Sequence, residues 1–148
     1  MKKYAVNGSQ AVASPTDSVL GITSATTVRP EIYHFLLGCQ ATPADNALNW
    51  LLQRYTAAGS GDAVTPHALD PADPAALSSA IENHGTEPTY TSGAILLEVS
   101  INQRASLPWY AREGREIKLP ATAANGVGLQ PVHGSFTGVV DVAAHYQE

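Results

Sequence analysis

The run ILLEVSIN, Ile95 to Asn102, constrains the fold of this chain more than any other stretch. Ile95, Leu97, Val99 and Ile101 occupy every second position, with Leu96, Glu98, Ser100 and Asn102 between them. A pleated strand sends alternate side chains to opposite faces, so the run reads as a strand with one buried side and one mostly polar side. A second extended run follows, then a turn at Gly114 and a short strand from Glu116 to Leu119. Two or three antiparallel strands with short connections are expected there. We place this meander at the centre of an all-β domain, with Ile95, Leu97, Val99 and Ile101 as the core face of one sheet. Pro108 puts its strand at an edge or a bulge, because proline has no amide proton to donate to a ladder.

The remaining segments fit the same class. Residues 1–17 read as an N-terminal arm lying on a neighbour or as a loosely packed edge strand, and Ser14-Pro15-Thr16-Asp17 breaks the run. Ser18 to Val28 is rich in the β-formers Val, Ile and Thr, and Arg29-Pro30 ends it. Glu31 to Cys39 is apolar on both parities, the pattern of a central strand covered on both sides. Thr42-Pro43-Ala44-Asp45 marks a turn or a helix start. The next run, NALNWLLQRYTAAG, is ambiguous. Leu48, Leu51, Leu52 and Tyr55 have helical spacing, whereas Leu48, Trp50 and Leu52 would share one strand face. The strand-rich context selects strand.

Residues 59–88 carry Pro66, Pro71, Pro74 and Pro88 among glycines and aspartates. That density of proline predicts a long surface loop. It either carries functional contacts or is an excursion packed by Leu69, Leu77 and Ile81. Asn125-Gly126 is a tight-turn pair, and Phe136, Val140, Val142 and Tyr146 keep one parity to the end. About eight short strands separated by Gly, Pro and Asn describe a jelly-roll-like antiparallel β-sandwich, a single domain over residues 18–148.

Composition narrows the function classes. Charged residues make up 14% of the 148, well below the roughly 25% of ordinary soluble domains. A surface so poor in charge points to contact with protein. The net charge of −5 argues against a chain whose main task is to hold nucleic acid. The N-terminus has no apolar run behind Lys2 and Lys3, and no stretch approaches the ~20 apolar residues of a membrane span, so synthesis in the cytoplasm and no membrane association are expected. The single cysteine, Cys39, excludes an internal disulfide and a Cys-built zinc site, and it reads as a buried small residue.

The motifs of catalysis are missing. His34, His67, His84, His133 and His145 form no HxH, HxxxH or HExxH pair, so no metal and no other cofactor is expected. His34 reads as a hydrogen-bonded core or interface residue. Glu113 and Glu116 flank the Gly114 turn as a solvated tip, without the facing geometry of a glycosidase pair. There is no GxSxG, and NGVGLQPVHG lacks the lysine of a phosphate loop. No catalytic residue is assigned. The one charged constellation is Arg104, Trp109, Tyr110, Arg112, Arg115 and Lys118, which holds four of the eight basic residues. Arginine and large aromatics are what protein interfaces are enriched in. The candidate protein-contact residues are therefore Trp109, Tyr110, Arg112 and Arg115, with Trp50 and Arg54 from the run before the loop. Trp50, Trp109 and Tyr110 also motivate an alternative, a carbohydrate-binding jelly roll, and the histidine count a second one, a small cupin-like metal enzyme.

From about Arg29 to the end, a succession of pieces (ADNALNW, TAAG, LDP, EPTYT, NQRA, PATAANG) resembles small virion proteins of tailed bacteriophages. These are of the decoration or cement kind, attached to the outside of an assembled head. The resemblance implies a β-rich, jelly-roll fold, a homo-trimer, and a capsid-exterior location with the major capsid protein as partner. It also implies a structural rather than an enzymatic role.

Overall fold

The structure, a computed structural model, describes residues 1–12, 17–132 and 136–148. The expected break at Ser14-Pro15-Thr16 and His133 lie outside the described residues. There is no helix among them. Among the described residues twelve strands form two antiparallel sheets packed face to face: β1 (Lys3–Val12), β2 (Leu20–Thr23), β3 (Glu31–Cys39), β4 (Ala47–Ala57), β5 (Ser60–Val64), β6 (His67–Ala68), β7 (Ser79–Thr86), β8 (Thr89–Asn102), β9 (Leu107–Tyr110), β10 (Ile117–Lys118), β11 (Gly126–Val132) and β12 (Gly138–Gln147). Sheet A has the order β10-β3-β12-β1-β6, with β9 also on β3, and sheet B the order β5-β7-β2-β11-β4-β8.

The topology follows from one pairing rule. β9 and β10 both lie antiparallel to β3, at residues 34–37 and 31–32, so they are collinear pieces of one strand. Setting β5 to β7 aside, eight strands remain. The first pairs with the last (β1 with β12), the second with the seventh (β2 with β11), the third with the sixth (β3 with β9 and β10), and the fourth with the fifth (β4 with β8). The chain is one long hairpin rolled into a sandwich, which is a jelly roll. Segment 59–88 is inserted between the fourth and fifth strands. Its Pro-rich loop is confined to 65–78, because β5 and β7 take the two ends and pair with each other. β7 also pairs with β2 and extends sheet B.

Two expectations are corrected by this pairing. The 95–119 region is no meander and no centre. β8 pairs only with β4 at the edge of sheet B, while β9 and β10 belong to sheet A. The chain also bulges between the pairs Leu52–Leu97 and Gln53–Ile95. The bulge turns Ile95 outward, where it is 42% exposed, whereas Leu97, Val99 and Ile101 pack on the core. The ambiguous run is strand over Ala47–Ala57, as its context required, and Leu48, Trp50 and Leu52 face inward. β1 pairs with β12 over its whole length and with β6 at Tyr4 and Ala5, and its Tyr4, Val6 and Val12 are buried in the core.

The core fills the space between the sheets. From sheet A it takes the cross-strand rows Val6, Ala144, Phe35, Trp109 and Gly8, Val142, Leu37, Leu107, read directly from the register. From sheet B it takes Leu20, Ile22, Leu48, Trp50, Leu52, Val127 and Leu129. Tyr4 stacks on Tyr146 with ring centroids 5.5 Å apart, and the Tyr146 hydroxyl accepts a hydrogen bond from Ser78 Oγ at 2.7 Å. Burial pushes the Tyr146 phenol up. No described helix is long and apolar enough to cross a membrane.

Candidate protein-contact surface

The same register fixes the outer face of sheet A. Three rows cross it: Ala5, His145, His34, Tyr110; then Asn7, Ala143, Leu36, Pro108; then Ser9, Asp141, Gly38. The first is a row of rings. His34 stacks under Tyr110 at 4.4 Å and 17°, with His145 at 4.8 Å on its other side. Tyr33 reaches His145 at 6.2 Å, and Lys3 Nζ lies 5.8 Å from the Tyr33 ring, within cation–π reach. Tyr33 occupies the irregular position where β12 passes from pairing with His34 to pairing with Ile32.

His34 is buried, and neither ring nitrogen meets a hydrogen-bond partner among the described residues. The sequence reading gave it a hydrogen bond; the structure gives it a ring stack instead. Burial, and then the neighbouring His145, hold its imidazole below the ordinary value. Tyr110 and Leu36 stand open on this face, at 67% and 41% exposure.

The third row is small, and a trough of about 510 Å³ opens over it between Leu36, Ser106, Asp141 and Glu82. That volume is within the roughly 300–1,000 Å³ of ligand-holding clefts. A Cβ on Gly38 would meet only Ser106 Oγ, at 3.6 Å. Two carboxylates border the trough. Asp141 accepts a hydrogen bond from Gln40 Nε2 at 2.6 Å, and Glu82 accepts one from the Ser9 amide at 2.7 Å. The second of these caps a backbone donor on the open side of β1, where a bare sheet edge would otherwise invite pairing. Cys39 lines the trough half-buried; burial, and then Asp141, push its thiol up, away from the reactive thiolate form.

Arg112 and Arg115 follow Tyr110 in the chain and are exposed. Segment 111–116 is looped out between β9 and β10, closed by Arg115 N–H donating to the Arg112 carbonyl at 2.8 Å and by Gly114 at φ +74°. The Ala111 amide donates to the Tyr33 carbonyl at 2.9 Å, which anchors the excursion at the irregularity in β3. At its far end Lys118 pairs with Glu31 at 2.6 Å. This bond, supported by Gln147, holds the Glu31 carboxyl below the usual carboxylate range.

Of the six contact residues expected from sequence, Tyr110, Arg112 and Arg115 are exposed, at the end of β9 and in the loop after it, which also carries Glu113 and Glu116. Trp109 is next to them in the chain but on the opposite parity. It is half-buried and packs against Phe35, ring centroids 5.5 Å apart. Trp50 is a correction: at 1% exposure it is a core residue, because its parity on β4 faces the other sheet. Arg54 is half-buried on β4, opposite Val127 in sheet B, and does not join the cluster. Of the three rings offered as sugar platforms, only Tyr110 stands open. Sequence reasoning missed His145, Leu36, Ala143 and Asn7. For His145 and Ala143 the signal was the parity left over once Val140, Val142, Ala144 and Tyr146 are assigned inward; Leu36 and Asn7 lie on β3 and β1 and join them only through strand pairing.

The glycine-lined middle of the outer face of sheet B is covered by its own chain, while Ile95 and Leu96 stand exposed on β8 at the edge of that sheet. Gly21, Gly126 and Gly128 leave the middle without side chains. Tyr55 lies against Gly21 and Gly126, His84 against Gly21, and the Tyr90 hydroxyl over Gly128. These groups join a buried network around Ser18. The Ser18 amide and hydroxyl both donate to the Glu87 carboxylate, and the Ser18 and Tyr90 hydroxyls are 2.7 Å apart. His84 Nδ1 lies 3.0 Å from the Ser18 carbonyl oxygen. A carbonyl only accepts, so Nδ1 carries the proton. Ser, His and Glu are thus assembled without the geometry of a catalytic triad, since His84 bonds the carbonyl and not the hydroxyl. Among the described residues no group of three or more His, Cys, Asp or Glu could hold a metal ion.

Comparison of the chain with family models, with curated proteins and with solved structures finds no match in any of the three.

Proposed function

We propose that this chain is a viral structural protein, a capsid decoration or cement protein that binds the outside of a phage head and stabilises it through protein contacts. Its partner on this reading is the major capsid protein, and it acts as a homo-trimer on the virion exterior. The observation that carries the reading is the contrast between the two outer faces. Sheet B covers the middle of its own with Tyr55, His84 and Tyr90 and confines its exposed Ile95 and Leu96 to the β8 edge, whereas sheet A leaves Tyr110 and Leu36 open beside a trough. A cement protein works by burying such surface between capsomers, which requires few charges and no cofactor. The scarcity of charge, the jelly roll and the virion-protein pattern of the sequence support the same reading. Co-sedimentation with empty heads at micromolar protein tests it. Binding is expected, and protein left wholly in the supernatant would overturn the assignment.

A further inference from the structure

We propose that the free edge of β8 is a strand-addition site, and that its occupant is an extended segment of a different protein, apolar at alternate positions with lysine or arginine between them. Among the described residues β8 pairs only with β4. The Gln103 amide donates to the Asn46 carbonyl at 2.9 Å, which continues the Ala47–Asn102 register by one residue. Backbone groups alternate in direction along a strand. Those of Leu97, Val99 and Ile101 therefore face β4, and those of Glu98, Ser100 and Asn102 point away from the sheet. The Asn102 carbonyl accepts from the Ala105 amide at 2.9 Å. Three amides, on Glu98, Ser100 and Asn102, and the carbonyls of Glu98 and Ser100 stay open, in the spacing that a neighbouring strand would match.

The other sheet edges are blunted. β5 has five residues with Asp62 and a bulge, and β6 has two. β9 and β10 have four and two, with Pro108 in the first and a charged loop between them. Shortness, bulges, proline and charge are how proteins keep edges from pairing. β8 from Leu97 to Asn102 is regular, free of proline and charged only at Glu98. Its polar side chains lean back toward β4 instead of across the edge. Asn49 Nδ2 donates to Glu98 Oε1 at 3.1 Å, Ser100 Oγ to Asn49 Oδ1 at 3.2 Å, and Asn102 Nδ2 to Asp45 Oδ1 at 2.6 Å. On the other face Leu97, Val99 and Ile101 are only half-buried against the core. A strand laid on the edge would close over them, so its inward residues are apolar.

Charge selects a different protein. A cross-strand neighbour of opposite charge is favoured beside Glu98. A second β8 offers only another Glu98, and β5 offers Asp62. Lys118, on the two-residue β10, is already paired with Glu31. The cation must come from another chain. That this chain is the capsid protein rests on the reading above; the edge and its chemistry do not.

Amide hydrogen exchange of the full chain, read by NMR, tests the edge with an acetylated heptapeptide of alternating valine and lysine as probe. At about 1 mM peptide the Glu98, Ser100 and Asn102 amides should exchange about tenfold more slowly, while Leu97, Val99 and Ile101, already bonded to β4, change little. Ser100→Pro removes an amide that β4 does not use, so this variant should fold and lose the effect. Should it fail to fold, Glu98→Lys takes its place: it should lose the lysine peptide and take up one with glutamate in lysine's position. Wild type without slowing, slowing that is not centred on those three amides, or Glu98→Lys that keeps the lysine peptide would each overturn the proposal. So would a chain sedimenting at twice 15.5 kDa with the three amides protected before peptide is added, which would put a second copy on the edge. Wild type that takes the peptide but ignores empty heads would overturn only the capsid assignment.

Discussion

The two outer faces of this sandwich solve one problem in opposite ways. Each sheet turns one side to the core and must do something with the other. On sheet B three glycines thin the backbone layer, and Tyr55, His84 and Tyr90 lie down over the gap, tied to Ser18, Thr23 and Glu87. On sheet A the equivalent positions are Ala5, Asn7, Ala143 and Gly38, and the rings stand in a separate row with a trough beside them. Small residues thus serve self-covering on one face and leave room for another molecule on the other. The difference lies in where the chain places its rings relative to its glycines.

That contrast can be broken from the covered side first. A methyl group at Gly126 would overlap the Ile22 carbonyl oxygen and come within 2.5 Å of the Tyr55 ring. Gly126→Ala should therefore destabilise by about 3 kcal/mol or more, read by denaturant unfolding. A loss under about 1 kcal/mol would mean that the Tyr55 cover is loose. Next in size is Glu87→Ala. It strands the Ser18 amide in a part-buried site and leaves the Ser18 hydroxyl only Tyr90 as partner, at a cost of about 1–3 kcal/mol, and the same unfolding experiment reads it.

The smallest effect belongs to the open face. Folded His34 resists protonation, while the unfolded chain takes a proton at the ordinary value of 6.5. Between those two values the unfolded state binds more protons, so stability falls as pH drops below about 6.5 and is flat above it. One proton sets the ceiling, about 1.4 kcal/mol per pH unit. Unfolding titrations from about pH 7 to pH 5, above the carboxylate range, should show the slope in wild type and lose it in His34→Phe. An equal slope in both would assign the dependence elsewhere.

How much of this was legible beforehand depends on which interaction decided each feature. Inward parity is local, so Leu97, Val99 and Ile101 could be read from alternation, whereas the Leu48, Trp50, Leu52 run, ambiguous in its own spacing, became strand only through the strand-rich context. Ile95 could not be read from alternation, because its direction is set by a bulge against Gln53 in another strand. Alternation names a face and never a neighbour, which is why the 95–119 region was mistaken for a meander. The contact surface suffered most. Its ring row joins Ala5, His145, His34 and Tyr110, residues from four strands whose adjacency exists only in the pairing of β1, β12, β3 and β9. Tyr110, Arg112 and Arg115 were visible as an aromatic and basic cluster. Trp50 was visible for its chemistry alone, and parity then placed it inside.

The interruption between β9 and β10 has a consequence for how this architecture can vary. Both pieces hold their register on β3 regardless of what joins them, and the joining residues 112–115 are exposed. Lengthening such a connection is entropically cheap, about 0.6 kcal/mol for each doubling. The sixth strand of the roll is therefore a permissive graft point. Relatives with the same sandwich can diverge here in loop length and sequence, redrawing the flank beside Tyr110 while the rest of the barrel stays as it is.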